Sequence, residues 1–356
     1  MREWSPARLG DVAECLDAIR KPVRAVDRRD GPYPYYGASG VIDHVDQYLL
    51  DGTFALVAED GENLRTRNTP VSFLARGKFW VNNHAHILSG TERSDVRFLS
   101  YVIENSDISG YLTGSTQPKL TQQALLSMRF NWPPLSEQRA IAEVLGVLDD
   151  KIEANRRIES LCWLLAKAHF EAAIATADES VPLSTLLKLE YGKALPAGVR
   201  RPGATPVYGS GGIVGRHDKP LVTGPGIIVG RKGTAGSVQW SQRAFFPIDT
   251  TFYVTNVSVP MVFAYFVLRS LRLDSMNSDS AVPGLNRNTA MSQMVPLPGK
   301  EGLATFSGRA EVLVDAAEAT ASESCALETL RGALLPALVS GRLRVRDVEA
   351  VVEEAV

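Results

Sequence analysis

Cysteine and histidine are scarce in these 356 residues: three of the first and five of the second. Cys15, Cys162 and Cys325 are odd in number, far apart and in no Cys-x-x-Cys pair, which excludes a disulfide framework and a zinc knuckle. The chain also lacks any apolar run of about 18 residues, so no membrane span and no membrane partner are expected. Its opening, Met1-Arg2-Glu3-Trp4-Ser5-Pro6, has no apolar signal segment. A cytoplasmic protein is the expectation. With 45% hydrophobic residues the chain has room for two or three domains, each able to bury its own core.

Catalytic constellations are missing too, and the near misses fail on chemistry. Asn131-Trp132-Pro133-Pro134 resembles the Asn-Pro-Pro-aromatic motif of amino-methyltransferases, but its spacing is wrong and Leu135 is not aromatic. Gly230-Arg231-Lys232-Gly233-Thr234-Ala235-Gly236 lacks the order of a phosphate loop. Gly209-Ser210-Gly211-Gly212-Ile213-Val214-Gly215 misses the dinucleotide fingerprint. His84-x-His86 puts two imidazoles on one face of a strand, where packing and hydrogen bonding are expected rather than a metal. No catalytic residue and no metal ligand is assigned.

What is present is a long helical period. Pro133-Pro134 stops what precedes it, Ser136 is placed to cap a helix, and apolar residues follow at Ile141, Leu145, Leu148 and Ile152, resuming from Ile158 to Ala168. The helix is predicted to reach about Ile174. A second is predicted from Thr305 to about Val339, with Leu313, Ala316, Thr320, Leu327, Leu330 and Leu334 in three/four spacing and Glu323 at one seam position. Two such helices with narrow seams predict a mutual, antiparallel coiled coil.

Between them the chain repeats itself. Pro34, Tyr36, Gly37, Gly40, Asp46 and Gly61 return as Pro206, Tyr208, Gly209, Gly212, Asp218 and Gly233, displaced by 172. Tyr101 returns as Tyr265, Pro118 and Leu120 as Pro283 and Leu285, and Ala142-Glu143-Val144-Leu145 as Ala310-Glu311-Val312-Leu313. This is a duplicated domain plus helix. The fold class is mixed α/β (α+β): two duplicated domains separated by two long helices. The segments are 1–132 (first domain), 133–177 (first helix), 178–300 (second domain), 301–345 (second helix) and a tail, 346–356.

The net charge of -2 hides an imbalance. Residues 181–300 carry 13 cations against 5 carboxylates, while 131–180 and 301–356 are acidic. A basic block suits a polyanion, most simply nucleic acid. The loop at Arg231, Lys232 and Thr234 suits phosphate contacts. In the repeat it stands opposite Glu59-Asp60-Glu62, an exchange a reading loop tolerates and a catalytic carboxylate pair does not. Gln117, Lys119, Asn286 and Arg287 are set at matching loop positions with ends that read base edges. Tyr36, Ser39, Tyr208 and Ser210 line the glycine turns, and His84 joins them as a candidate DNA contact.

Together these segments resemble the specificity subunit of type I restriction–modification systems. The resemblance rests on Tyr35-Tyr36-Gly37-Ala38-Ser39-Gly40-Val41-Ile42, Leu56-Val57-Ala58-Glu59-Asp60-Gly61, Asn83-His84-Ala85-His86, Gln117-Pro118-Lys119-Leu120, Pro134-Leu135-Ser136-Glu137-Gln138-Arg139-Ala140-Ile141 and Ser340-Gly341-Arg342-Leu343. It implies two target recognition domains, each reading half of a bipartite site in double-stranded DNA, and a helical ruler for the unread spacer. It also implies that the helices, through seams at Ile141, Leu145, Leu148, Ile152, Leu313, Leu327, Leu330 and Leu334, form the frame that docks two methyltransferase subunits, with restriction subunits joining. S-adenosylmethionine, ATP and Mg are expected in those partners and no cofactor in this chain. The alternative is the recognition subunit of a type IIB-like enzyme, in which methylation and cleavage share one partner chain.

Overall fold

The computed structural model describes residues 4–276 and 284–356. Pro283, set against Pro118 by the repeat, lies outside the described residues. Contacts divide the chain into two units, Met1–Ala154 with Glu323–Val356, and Asn155–Ser322.

The first unit contains β1 (Ser5–Arg8), β2 (Ala13–Cys15), β3 (Tyr33–Gly37), β4 (Gly40–Val45), β5 (Leu50–Ala58), α1 (Asn63–Thr66), β6 (Ser72–Val81), β7 (Ala85–Gly90), α2 (Val96–Glu104), α3 (Gln122–Ser127) and β8 (Arg129–Trp132), and α4 (Leu135–Ala175) begins in it. Six strands form one sheet in the order β2-β7-β5-β6-β3-β4, parallel only between β3 and β6, while β1 pairs with β8. The end of β5, Ala55-Leu56-Val57-Ala58, is fully buried because both sheet faces are covered. Ala55 and Val57 pack in the core that holds Phe98, Leu99 and Val102 of α2, and Leu56 packs with Phe79 and Ile87 on the other side. Asp95 caps α2 by accepting from the backbone N–H groups of Arg97 and Phe98.

The second unit repeats this order with β9 (Glu179–Pro182), α5 (Leu183–Leu186), β10 (Lys188–Tyr191), β11 (Thr205–Gly209), β12 (Gly212–His217), β13 (Gly226–Gly230), β14 (Val238–Ser241), β15 (Phe246–Pro247), β16 (Thr251–Thr255), α6 (Met261–Ser270), α7 (Arg287–Met291), β17 (Met294–Leu297) and the start of α8 (Lys300–Val339). Its strands run β10-β16-β13-β14 and β12-β11-β15, with β17 on β9. The single strand β6 of the first unit corresponds to β14 and β15 together, separated here by residues 242–245. The duplication read from the sequence is therefore a duplication of topology.

The two long helices pair in both units. In the first, Ile141, Leu145, Leu148 and Ile152 of α4 share a core with Leu327, Leu334, Leu335 and Leu338 of α8. In the second, Ala166 and Phe170 share one with Phe306, Ala310 and Val314. The first half of α4 thus meets the second half of α8 and the reverse, an antiparallel pair. Two details differ from the sequence reading. Helix α4 starts at Leu135, so Ser136 lies in its first turn, and the carbonyl of Pro134 accepts from Glu137 and Gln138 instead. On α8, Leu327 and Leu334 are buried and Leu313 and Leu330 half-buried, but Ala317 replaces Ala316 inside the seam and Ser324 replaces Glu323, which pairs with Lys151 at 3.3 Å. Between Ala316 and Cys325 no bulky side chain fixes the helix phase, so the pattern slipped by one residue. Residues 346–356 carry a further helix, α9 (Glu349–Ala355), which buries Val352 in the first unit's core.

Contacts within this frame explain two sequence motifs. Gln138, fully buried, accepts from Asp95 N–H and donates to the carbonyls of Arg93 and Pro133. Glu137 accepts from Trp4 Nε1 at 3.0 Å and pairs with Arg344. Gly341, at φ +72°, faces the Trp4 ring so closely that a Cβ would lie 3.2 Å from it.

Candidate nucleic-acid interface

The same β-bridge stands at the same place in both units. Asp60 bridges Lys119 in the first and Lys232 bridges Gly284 in the second. Beside them Leu120 N–H donates to the Glu59 carbonyl (2.8 Å) and Leu285 N–H to the Arg231 carbonyl (2.9 Å). Glu59-Asp60 and Arg231-Lys232 are therefore structural equivalents, as the repeat predicts. Each bridge carries one lysine, supplied from opposite strands. The pairing of Gln117 and Lys119 with Asn286 and Arg287 is corrected: Lys119 matches Gly284, and Asn286 matches Thr121, since both cap the next helix. Both matches keep the displacement of 165 that relates Leu120 to Leu285, so the pairing read from the sequence joined residues of the same loop that are not positional equivalents.

In the first unit the carboxylates are spent on local cations. Glu59 pairs with Arg20 (2.5 Å) and Lys119 (2.9 Å), and Asp17 with Arg20 (3.1 Å) and His86 (2.5 Å). Burial pushes Glu59 and Asp17 up, but the hydrogen bonds from Arg20 and Lys119 to the first, and from His86 to the second, outweigh it and hold both below the usual carboxylate range. The network braces the loop that carries Gln117 and Lys119. His86 Nε2 contacts the Leu120 carbonyl at 2.7 Å, Thr113 and Lys119 exchange backbone hydrogen bonds, and Arg65 donates to the carbonyls of Gly114 and Ser115. Gln117 stands exposed in this loop and Pro118 is buried beside it.

The two histidines do not act together. His84 is half exposed with Nδ1 2.8 Å from Asp60, whereas His86 is 1% exposed with both ring nitrogens engaged. Cys15, Asp17 and His86 bring ligand atoms within 4.8 Å of one another. Burial pushes the Cys15 thiol up to about 12, away from the thiolate a metal binds, and Arg20 already supplies the cation. The cluster reads as a buried polar brace.

In the second unit the polarity is reversed. Arg231 donates to the Asp249 carbonyl and lies 5.4 Å from the centre of the Tyr191 ring, and Arg287 lies 5.3 Å from the same ring. Tyr191, which no sequence signal singled out, holds both guanidiniums. Lys232 is exposed and, among the described residues, has no hydrogen-bond or ion-pair partner for its ammonium. Thr234 is exposed nearby, and a Cβ on Gly211 would lie 3.5 Å from its Oγ1, which sets the glycine turn of Ser210 against this loop. The turn tyrosines face inward: Tyr36 packs on Phe73 and Phe79, and Tyr208 on Phe245. Ser39 is exposed at its turn. A cationic segment the sequence reading passed over, Arg20 to Arg29, lies outside the strands of the first unit with Lys21, Arg24 and Arg29 exposed.

Known proteins resemble this chain in sequence and in fold. Residues 1–161 match the family model of the type I restriction modification DNA specificity domain. S.HindORF215P of Haemophilus influenzae, named as a type I restriction enzyme specificity subunit, is 39% identical over 146 residues, which span 41% of this chain and 37% of that protein's length. The crystal structure of a type I restriction-modification system S subunit from M. genitalium superposes with a TM-score of 0.69 at 17% identity, covering 94% of this chain and 96% of the other. Among the described residues no helix is long and apolar enough to cross a membrane. The chain has the fold of a type I restriction–modification S subunit, and its residues 1–161 match the type I restriction modification DNA specificity domain.

Proposed function

We propose that this chain is the DNA-reading subunit of a type I restriction–modification complex. Each unit reads one half of a bipartite target, and the α4–α8 pair sets the spacer and docks methyltransferase subunits, which restriction subunits join. Methyl transfer and cleavage belong to those partners, which supply S-adenosylmethionine, ATP and Mg; this chain contributes recognition and no catalytic residue. The observation that carries the reading is the β-bridge. One scaffold appears twice, with Asp60 and Lys119 at a position where its copy has Lys232 and Gly284. A shared frame with unlike loop chemistry is what two different half-sites require. The basic segment 181–300 and the exposed Lys232 support contact with phosphates.

The test is a genome-wide map of N6-methyladenine in the host with and without the gene. The reading predicts one bipartite motif that vanishes with the gene. Methylation that persists at every site without it contradicts the proposal.

A further inference from the structure

The hairpins β3–β4 and β11–β12 share an irregularity. In the first, Gly37 pairs with Gly40, Tyr36 with Val41 and Tyr35 with Asp43, which leaves Ile42 as an extra residue. In the second, Gly209 pairs with Gly212, Tyr208 with Ile213 and Val207 with Gly215, which leaves Val214. A bulge of this kind breaks the in–out alternation of a strand and re-aims its side chains. Two adjacent branched aliphatic residues consequently face solvent in each unit: Val41 and Ile42 are 48% and 51% exposed, Ile213 and Val214 57% and 46%. The second member of each pair lies over a glycine. A Cβ on Gly37 would sit 3.2 Å from Ile42 Cδ1, and one on Gly209 3.0 Å from Val214 Cγ1. Two residues on, His44 and Arg216 are exposed as well. Asp43, between them in the first unit, is matched by Arg28 at 2.9 Å.

Isolated exposed aliphatic residues are ordinary. Four of them at two equivalent bulges, in units whose adjoining loops carry opposite charge, are not. β4 and β12 end their strand orders, and an apolar edge left bare invites aggregation.

We propose that Val41-Ile42 and Ile213-Val214 are base-contact points that seat their methyl groups against the base edges of duplex DNA, the 5-methyl of thymine being the matching chemistry. His44 and Arg216 flank them toward the phosphates. The proposal rests on the DNA-reading function above and names residues for it. Duplex DNA is the occupant for three reasons. Two side chains per unit are far short of the roughly 800 Å² per partner that a stable protein interface buries. The second hairpin is continuous with the Lys232 loop, since a Cβ on Gly233 would lie 3.4 Å from Ser210 Oγ. The segment that holds it, residues 181–300, carries 13 cations against 5 carboxylates.

The experiment selects bound sequences from a randomised duplex library with the full-length chain co-purified with its methyltransferase subunit. I213S/V214S is expected to lose preference at one or two base pairs of one half-site, by roughly 5- to 150-fold, the range of a lost base contact. V41S/I42S should do the same in the other half-site only, and I213V/V214I should keep the wild-type motif. Unchanged melting temperatures confirm that the variants fold. A wild-type motif at wild-type strength from both serine variants overturns the proposal. So does a retained motif accompanied by loss of the methyltransferase subunit, which makes the pairs a protein surface. If the unaltered chain itself enriches no motif, the DNA-reading function fails, and the base-contact proposal with it.

Discussion

Replacing Asp149 with alanine tests how the first unit is fixed to the long helices. Tyr101 of α2, 4% exposed, donates its hydroxyl to Asp149 Oδ2 of α4 at 2.7 Å. Arg331 of α8 pairs with the same carboxylate and lies 5.7 Å from the centre of the Tyr101 ring. Burial, and then the charge of Asp149, raise the Tyr101 phenol above its usual range, so it stays a donor. D149A leaves that buried phenol without a partner, which costs about 1–3 kcal/mol. The partly exposed Arg331 pair adds at most about 1 kcal/mol. Y101F removes donor and need together and costs about 0.5–1.5 kcal/mol. In the Y101F background D149A loses only the smaller ionic contribution, so the double-mutant cycle returns a coupling of about 1–3 kcal/mol. Urea unfolding followed by tryptophan fluorescence reads it, because Trp4, Trp80 and Trp132 report the first unit. Additive costs within about 0.3 kcal/mol refute the clamp.

Other perturbations follow from the same contacts. K232A removes the exposed ammonium and should lower the slope of log K against log salt by about 0.9, the value of one phosphate contact; an unchanged slope removes Lys232 from the interface. Asp17 and Glu59 are held below their ordinary values of 3.8 and 4.5, so their contribution is complete above those values and is lost as pH falls through the folded ones. D17N/E59Q should therefore flatten the acid limb of the first unit's stability curve, and an acid limb as steep as wild type contradicts the brace. Glu318 is raised by burial, then by Glu159 and Asp315. Its ionised form opposes folding, a penalty absent below its ordinary value of 4.5 that grows as pH rises through the folded one. E318Q should raise the second unit's melting temperature at pH 7 and leave it unchanged at pH 3.5; no gain at pH 7 overturns this.

The duplication was legible because its markers are turn residues. Gly37 and Gly40, like Gly209 and Gly212, close two-residue hairpins whose geometry tolerates little change. The first helix was legible from Ile141, Leu145, Leu148 and Ile152. The second lost its phase where Ala316 to Cys325 offer only small and polar side chains. The candidate loops were legible as loops, but the bridge that joins Asp60 to Lys119 links segments far apart in sequence, and no local pattern encodes it. His86 shows the same limit: Asp17, its partner, lies 69 residues away in sequence. Tyr191 gave no signal because its role depends on Arg231 and Arg287 converging on one ring from separate segments.

The central claim is that two half-site readers are spaced by the α4–α8 pair. Inserting one heptad into each helix, after Ala154 and after Ser322, lengthens the pair by about 10 Å. At 3.4 Å per base pair that is about three base pairs. An N6-methyladenine map of the host carrying this variant should show both half-sites unchanged and the spacer longer by about three. A variant that methylates with the original spacer, or that keeps only one half-site, contradicts the account.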